Sequence, residues 1–224
     1  MNQTIFVMNP NSLQAVTDSI DAALAPLRRP NGPALTCLTL AEGPPGIQTQ
    51  RDVEAAIPPL VRKVTELAPV ASGFVVACFS DPGLHALREI TLKPVIGIGE
   101  AGILTALTLG QRVGVIAILA GSIPRHLRYY AAMGVLSRIA GELPVGLGVA
   151  ELTDRRRTLS RMMEVGRQLC EVHGADVLVM GCAGMASLRG ELQHAVGVPV
   201  VEPCQAGVAT AIGRVQLDWH AAST

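Results

Sequence analysis

Short β-branched runs alternate with longer amphipathic stretches along the whole chain. Ile5–Met8 precedes a helical pattern over Ser12–Arg29, with Ser12 placed as its cap. Ala34–Leu40 precedes Arg51–Ala68, Gly73–Ala77 precedes Pro82–Ile90, and Pro94–Ile98 precedes Ala101–Leu109. The same series then runs again. Its strands are predicted at Val113–Leu119, Leu143–Val149, Asp176–Met180 and Val198–Val201, and its helices at Pro124–Ala140, Arg155–His173, Ala186–Ala195 and Ala206–Val215. Such alternation predicts an α/β protein whose sheets are mostly parallel and flanked by helices.

The second series copies the first in residues as well as in pattern. Pro94-Val95-Ile96 corresponds to Pro199-Val200-Val201, Ala101-Gly102 to Ala206-Gly207, and Thr105-Ala106-Leu107 to Thr210-Ala211-Ile212, all at one offset. Val75-Val76-Ala77-Cys78 corresponds to Val179-Met180-Gly181-Cys182 at an offset one residue shorter. The period is too long for a solenoid. It predicts two pseudo-symmetric lobes with a cleft between them: residues 1–98 plus about 206–224, and residues 99–205.

Cys78 and Cys182 therefore end equivalent strands, where ligands of parallel sheets bind. Two lobes related by a pseudo-two-fold axis bring the thiols to opposite sides of one cleft. Racemisation needs that geometry, because one group takes a proton from one face of a carbon and another delivers a proton to the other face. A thiol of pKa ~8.5 is lowered at a helix N-terminus, and both cysteines precede predicted helices. Asp81 suits the cap of the first of these and Pro82 its first turn. Cys37, Cys170 and Cys204 have no such pairing and read as filler.

Composition narrows the rest. The 224 residues are 49% hydrophobic, and 18 basic side chains balance 18 acidic ones, so no field attracts nucleic acid or an anionic membrane. The longest apolar run, Val113–Gly121, is too short to span a bilayer, and the N-terminus lacks a secretory pattern. The odd cysteine count predicts free thiols in the cytoplasm. No metal-ligand spacing occurs. Gly97-Ile98-Gly99-Glu100-Ala101-Gly102 fits a dinucleotide fingerprint, but no acidic residue follows at the required distance. The Arg155-Arg156-Arg157 run reads as a solvated helix face, Arg125, Arg128 and His126 as surface positions unless one reaches an anionic substrate, Glu202 as either a surface-loop residue or a group that orients the cleft, and Tyr129-Tyr130 as packing or oligomer contacts.

Asn9-Pro10-Asn11-Ser12, Ala77-Cys78-Phe79-Ser80-Asp81-Pro82-Gly83-Leu84, Pro94–Ala101 and Gly181-Cys182-Ala183-Gly184-Met185 together resemble the hydantoin and allantoin racemases of the aspartate/glutamate/hydantoin racemase superfamily. The resemblance covers nearly the whole chain. It implies two α/β lobes around a cleft, a homo-oligomer, and racemisation by Cys78 and Cys182 without a cofactor. It also implies that Phe79, Ser80, Ala183 and Gly184 offer hydrogen-bond donors to a small-molecule substrate, that Asn9 and Asn11 line the cleft, and that Ser122 is a further candidate. Amino-acid racemases of the superfamily carry Asn-Thr and Thr-His after the two cysteines. Phe79-Ser80 and Ala183-Gly184 stand there instead, which points to a 5-substituted hydantoin or allantoin rather than a free amino acid. The loops at Glu42–Ile47 and Gly121–Arg125 also depart from the pattern. The rivals are malonate decarboxylation, maleate isomerisation and non-catalytic binding of a small molecule.

Overall fold

The computed structural model describes residues 3–220. Two sheets of four strands form, and every pairing is parallel. In the first lobe β1 (Thr4–Asn9), β2 (Ala34–Thr39), β3 (Gly73–Val76) and β4 (Val95–Gly97) lie in the order β2-β1-β3-β4. In the second β5 (Val113–Ala117), β6 (Ile139–Pro144), β7 (Val177–Met180) and β8 (Val200–Val201) repeat it as β6-β5-β7-β8. The α/β architecture with two pseudo-symmetric lobes is the one the sequence predicts.

Strand alternation decides what each face of the first sheet buries. Ile5, Val7 and Val75 meet α1 (Gln14–Ala23) and α8 (Pro203–Gln216) in a core that continues into the second lobe. Phe6, Met8, Phe74 and Val76 meet Leu60 and Val64 of α2 (Gln50–Leu67) and Leu84 and Leu87 of α3 (Leu84–Ile90). Full burial of such side chains contributes ~1.5–3 kcal/mol each. No helix among the described residues is long and apolar enough to cross a membrane.

The repeated glycines mark where the lobes interlock. After β4 the chain enters α4 (Ile98–Ala106), which lies over β7: a Cβ on Gly102 would sit 3.1 Å from Pro203 Cβ and 3.3 Å from Val179 Cγ1. After β8 it enters α8, which lies over β3: a Cβ on Gly207 would sit 3.0 Å from Ile98 Cγ2 and 3.4 Å from Val75 Cγ1. Each sheet is thus covered by the helix that leaves the other. Gly207→Ala is expected to destabilise the protein by about 1 kcal/mol, as ~1–3 kcal/mol of overpacking outweighs the ~1 kcal/mol of helix propensity gained. The urea midpoint checks it; an unchanged or raised midpoint means that α4 and α8 tolerate a wider spacing.

Several boundaries differ from the sequence reading. The helix predicted over Pro124–Ala140 is α5 (Ile123–Ala132) and stops before Gly134, which adopts a left-handed φ of 73°. The freed segment pairs with β5, so β6 begins at Ile139 and not at Leu143. Ser12 does not cap α1; the residue before that helix is Leu13, and Asn11 Oδ1 accepts from Leu13 N at 2.9 Å. Residues Ala183–Leu188 form a 3₁₀ turn, and α7 spans Arg189–Val196. Asp154 caps α6 (Arg155–Glu171) by accepting from Arg157 N.

Candidate active site

In each sheet the chain reverses its direction of winding between the first and third strands, which leaves a crevice beyond their carboxyl ends. Val76 closes β3 with Cys78 two residues on, and Met180 closes β7 with Cys182 two residues on. The crevices face each other, and both thiols wall one cavity of about 30 Å³. Asn11, Phe79, Ser80, Ser122 and Ala183 line it too. Ser122 closes the 3₁₀ turn before α5, and its Oγ donates to Leu119 O.

Two expected residues lie elsewhere. Asn9 is buried and does not line the cavity; its Nδ2 lies within hydrogen-bond distance of Asn11 Oδ1, Leu13 O and Thr17 Oγ1, and its Oδ1 accepts from Asn11 N. It shapes the Asn11 turn and presents nothing to a ligand. Gly184 lines a neighbouring cavity of about 270 Å³, which shares only Val16 and Val149 with the cysteine cavity and reaches no thiol. Its N–H bonds the sulfur of Cys182.

Burial overrides the helix-end effect expected of the thiols. Cys78 is pushed up to about 12, chiefly by burial; the Ser80 N–H and Arg125 act against the rise, while the sulfur of Cys182 adds to it. Burial likewise pushes Cys182 up to about 11, opposed by the Gly184 N–H. The backbone explains the correction. Cys78 is followed by a turn, with α3 starting only at Leu84, and Cys182 precedes a 3₁₀ turn, so neither has an α-helix dipole aimed at its sulfur. Both side chains are therefore protonated thiols near neutral pH.

Asp81 does not cap α3 either; Gly83 precedes that helix in the left-handed region, φ 67°. The Asp81 carboxyl reaches across to α4 and accepts from Gly99 N at 2.9 Å, Glu100 N at 2.7 Å and Tyr129 Oη at 2.8 Å. Burial lifts it to about 7 against those donors. It clamps the turn that carries Phe79 and Ser80 onto the start of α4. Glu202 caps α8 from the position just before it, accepting from Cys204 N and Gln205 N, and is buried rather than exposed in a loop.

The residues missed by sequence reasoning come from α5. Arg125 is half-buried on the cavity wall and joins the lobes, donating from Nε to Ser80 Oγ at 3.1 Å and from Nη1 to Gln48 O at 3.0 Å. His126 lines the cavity and is only 3% exposed. Its Nε2 lies 3.3 Å from Ser80 Oγ, its Nδ1 2.6 Å from Glu142 Oε1, and Tyr130 Oη donates to Glu142 Oε2 at 3.0 Å. The Phe79 ring stands edge-on to the imidazole, with centroids 5.3 Å apart. One signal was available: His126 and Tyr130 are four residues apart, on one face of a helix.

Comparison with known proteins gives the class, an isomerase of the racemase type. A family model described as Asp/Glu/Hydantoin racemase matches residues 5–211, and the chain belongs to that family. It is 31% identical over 221 residues to a hydantoin racemase of Paenarthrobacter aurescens, covering 96% of this chain and 92% of that protein. An allantoin racemase structure from Klebsiella pneumoniae superposes with a TM-score of 0.90 at 26% identity, covering 99% of this chain and 91% of that one. The fold also matches an allantoin racemase from Pseudomonas fluorescens, with a TM-score of 0.93 at 24% identity, over 98% of this chain and 94% of that one.

Proposed function

We propose that this enzyme racemises the carbon alpha to a carbonyl in a 5-substituted hydantoin or an allantoin-like ureide, with Cys78 and Cys182 as the two acid/base groups. The observation that carries the reading is that both thiols wall a single cavity from the ends of equivalent strands. One sulfur, as thiolate, takes the proton from C5. The negative charge that develops on the carbonyl oxygen falls within reach of Arg125, whose guanidinium lies on the cavity wall. The other thiol delivers its proton to the opposite face, and the roles reverse for the other enantiomer. Decarboxylation of a malonate needs only one protonating thiol, so the second cysteine counts against it.

The test is C5 exchange in D₂O, followed by mass and by optical rotation, for enantiopure 5-substituted hydantoins, allantoin and an arylmalonate. Deuterium uptake with loss of rotation is expected for the ring compounds. Carbon dioxide release from the malonate without exchange in the rings rejects the proposal in favour of decarboxylation.

The pH profile is a second check. Both free thiols are raised to about 11 or 12, and the reaction needs one of them ionised. kcat/KM is therefore expected to rise about tenfold per pH unit between about pH 7 and 10, without levelling near the ordinary thiol value of ~8.5. A plateau below about pH 9 means that the base is not a buried thiol.

A further inference from the structure

Ser80 stands on the cavity wall between two partners that fix the direction of its hydroxyl. Arg125 Nε, 3.1 Å away, can only donate. The sense of the bond to His126 Nε2, at 3.3 Å, is set on the far side of the ring. There Nδ1 meets Glu142 Oε1 at 2.6 Å, while the other oxygen of Glu142 accepts from Tyr130 Oη. A carboxylate only accepts, so Nδ1 carries a proton, and in that tautomer Nε2 is an acceptor. Ser80 therefore gives its one proton to His126 and one lone pair to Arg125. Its second lone pair is what remains for the cavity.

We propose that Tyr130, Glu142 and His126 are positioning residues that make Ser80 a fixed hydrogen-bond acceptor, and that this acceptor selects substrates with an N–H beside the carbon that loses its proton. Ser80 follows Cys78 by two residues and lines the same cavity, so its hydroxyl flanks the thiol that meets the reacting carbon. A serine is ordinarily ambivalent and reads N–H and ring oxygen alike; here the relay removes that freedom. The inference rests on the racemase reading and narrows it. A hydantoin or ureide ring qualifies, and a ring with oxygen in place of that nitrogen presents lone pair to lone pair.

The matching experiment compares 5-methylhydantoin with 5-methyl-oxazolidine-2,4-dione, in which oxygen replaces the N–H next to C5. C5 deuterium exchange is measured for each, and kcat/KM is divided by the uncatalysed exchange rate. The wild type is expected to favour the hydantoin by about a hundredfold or more, because a site built for an N–H rejects the analogue lacking it. Glu142→Gln reverses the relay without touching the cavity. Tyr130 donates to Glu142 alone, so its proton pins the amide oxygen and turns the amide N–H₂ toward His126 Nδ1. The ring proton moves to Nε2, Ser80 accepts from it, and the hydroxyl turns to donate into the cavity. The preference is expected to fall at least about tenfold in Glu142→Gln, and also in Ser80→Ala, which needs no rearrangement in the core. Equal turnover of the two rings by the wild type overturns the inference, as does a preference for the ring oxygen, the result an imidazolium at His126 would give. So does a ratio that survives in Ser80→Ala. Each of these leaves the racemase reading standing so long as 5-methylhydantoin exchanges. Exchange of neither ring by the wild type removes both.

Discussion

Cys78→Ala and Cys182→Ala are each expected to slow racemisation of an enantiopure 5-substituted hydantoin by about 10³-fold or more, while each still exchanges C5 of one enantiomer. The loss follows from the geometry, since a lone thiol can take a proton and return it only from its own side. Positioned proton transfer contributes ~10²–10⁴-fold per group, and inversion requires both groups in one turnover. The two variants should exchange opposite enantiomers, and the double variant neither. Chiral chromatography beside mass spectrometry reads the two quantities separately. Both sulfurs sit on a cavity wall, so alanine removes chemistry with little packing, and an intact fold is expected in each case. Racemisation near the wild-type rate by either single variant would show that the reaction does not pass between the two thiols.

The second large effect is on Gly99. A Cβ there would lie 2.2 Å from Phe79 O and 3.0 Å from Asp81 Oδ2. Phe79 O is main chain, in the turn between Cys78 and Ser80, and Asp81 is tied to Gly99 N and Glu100 N. Neither can withdraw without dragging the cavity wall. Gly99→Ala is expected to cost about 3 kcal/mol or more, and to lower kcat/KM by more than about tenfold through displacement of the Cys78–Ser80 turn. Gly213→Ala supplies the control. It lies in α8 with nothing within 4 Å of an added Cβ, so a gain of up to about 1 kcal/mol is expected from helix propensity. Urea midpoints and C5 exchange rates on the three proteins decide the matter. A Gly99→Ala midpoint equal to wild type would mean that the turn and α4 are not in fixed contact.

That glycine also shows how far the chain can be read by eye. Gly97-Ile98-Gly99 resembles a phosphate-binding turn, yet the glycines are there because Asp81 and Phe79 O press against them. Local pattern shows that a backbone passes close to something; only the tertiary fold shows to what. The strand–helix series and the Cys78/Cys182 correspondence were legible because period and duplication are properties of the chain itself. Arg125 and His126 were not, because their partners Ser80 and Gln48 lie in the other lobe and no spacing encodes that contact; Glu142 meets His126 and Tyr130 from β6, a strand the sequence reading began only at Leu143. Asn9 was misjudged for a related reason: it stands at a strand end, as a ligand-binding residue would, but its amide is fully used by Asn11, Leu13 and Thr17. The thiols were expected to ionise easily from their place before helices. The actual turns deny them an α-helical end, and desolvation dominates.

The crossed arrangement of α4 and α8 has an outcome for biogenesis. A polypeptide released after about residue 110 would contain all four strands of its own sheet and still lack the cover supplied from near the C-terminus, with Val75 and Gly73 left bare where Gly207 and Val215 should rest. Neither half is a self-sufficient ancestor in its present form. Severed pieces should be insoluble when made singly and should reconstitute a functional whole only when synthesised together.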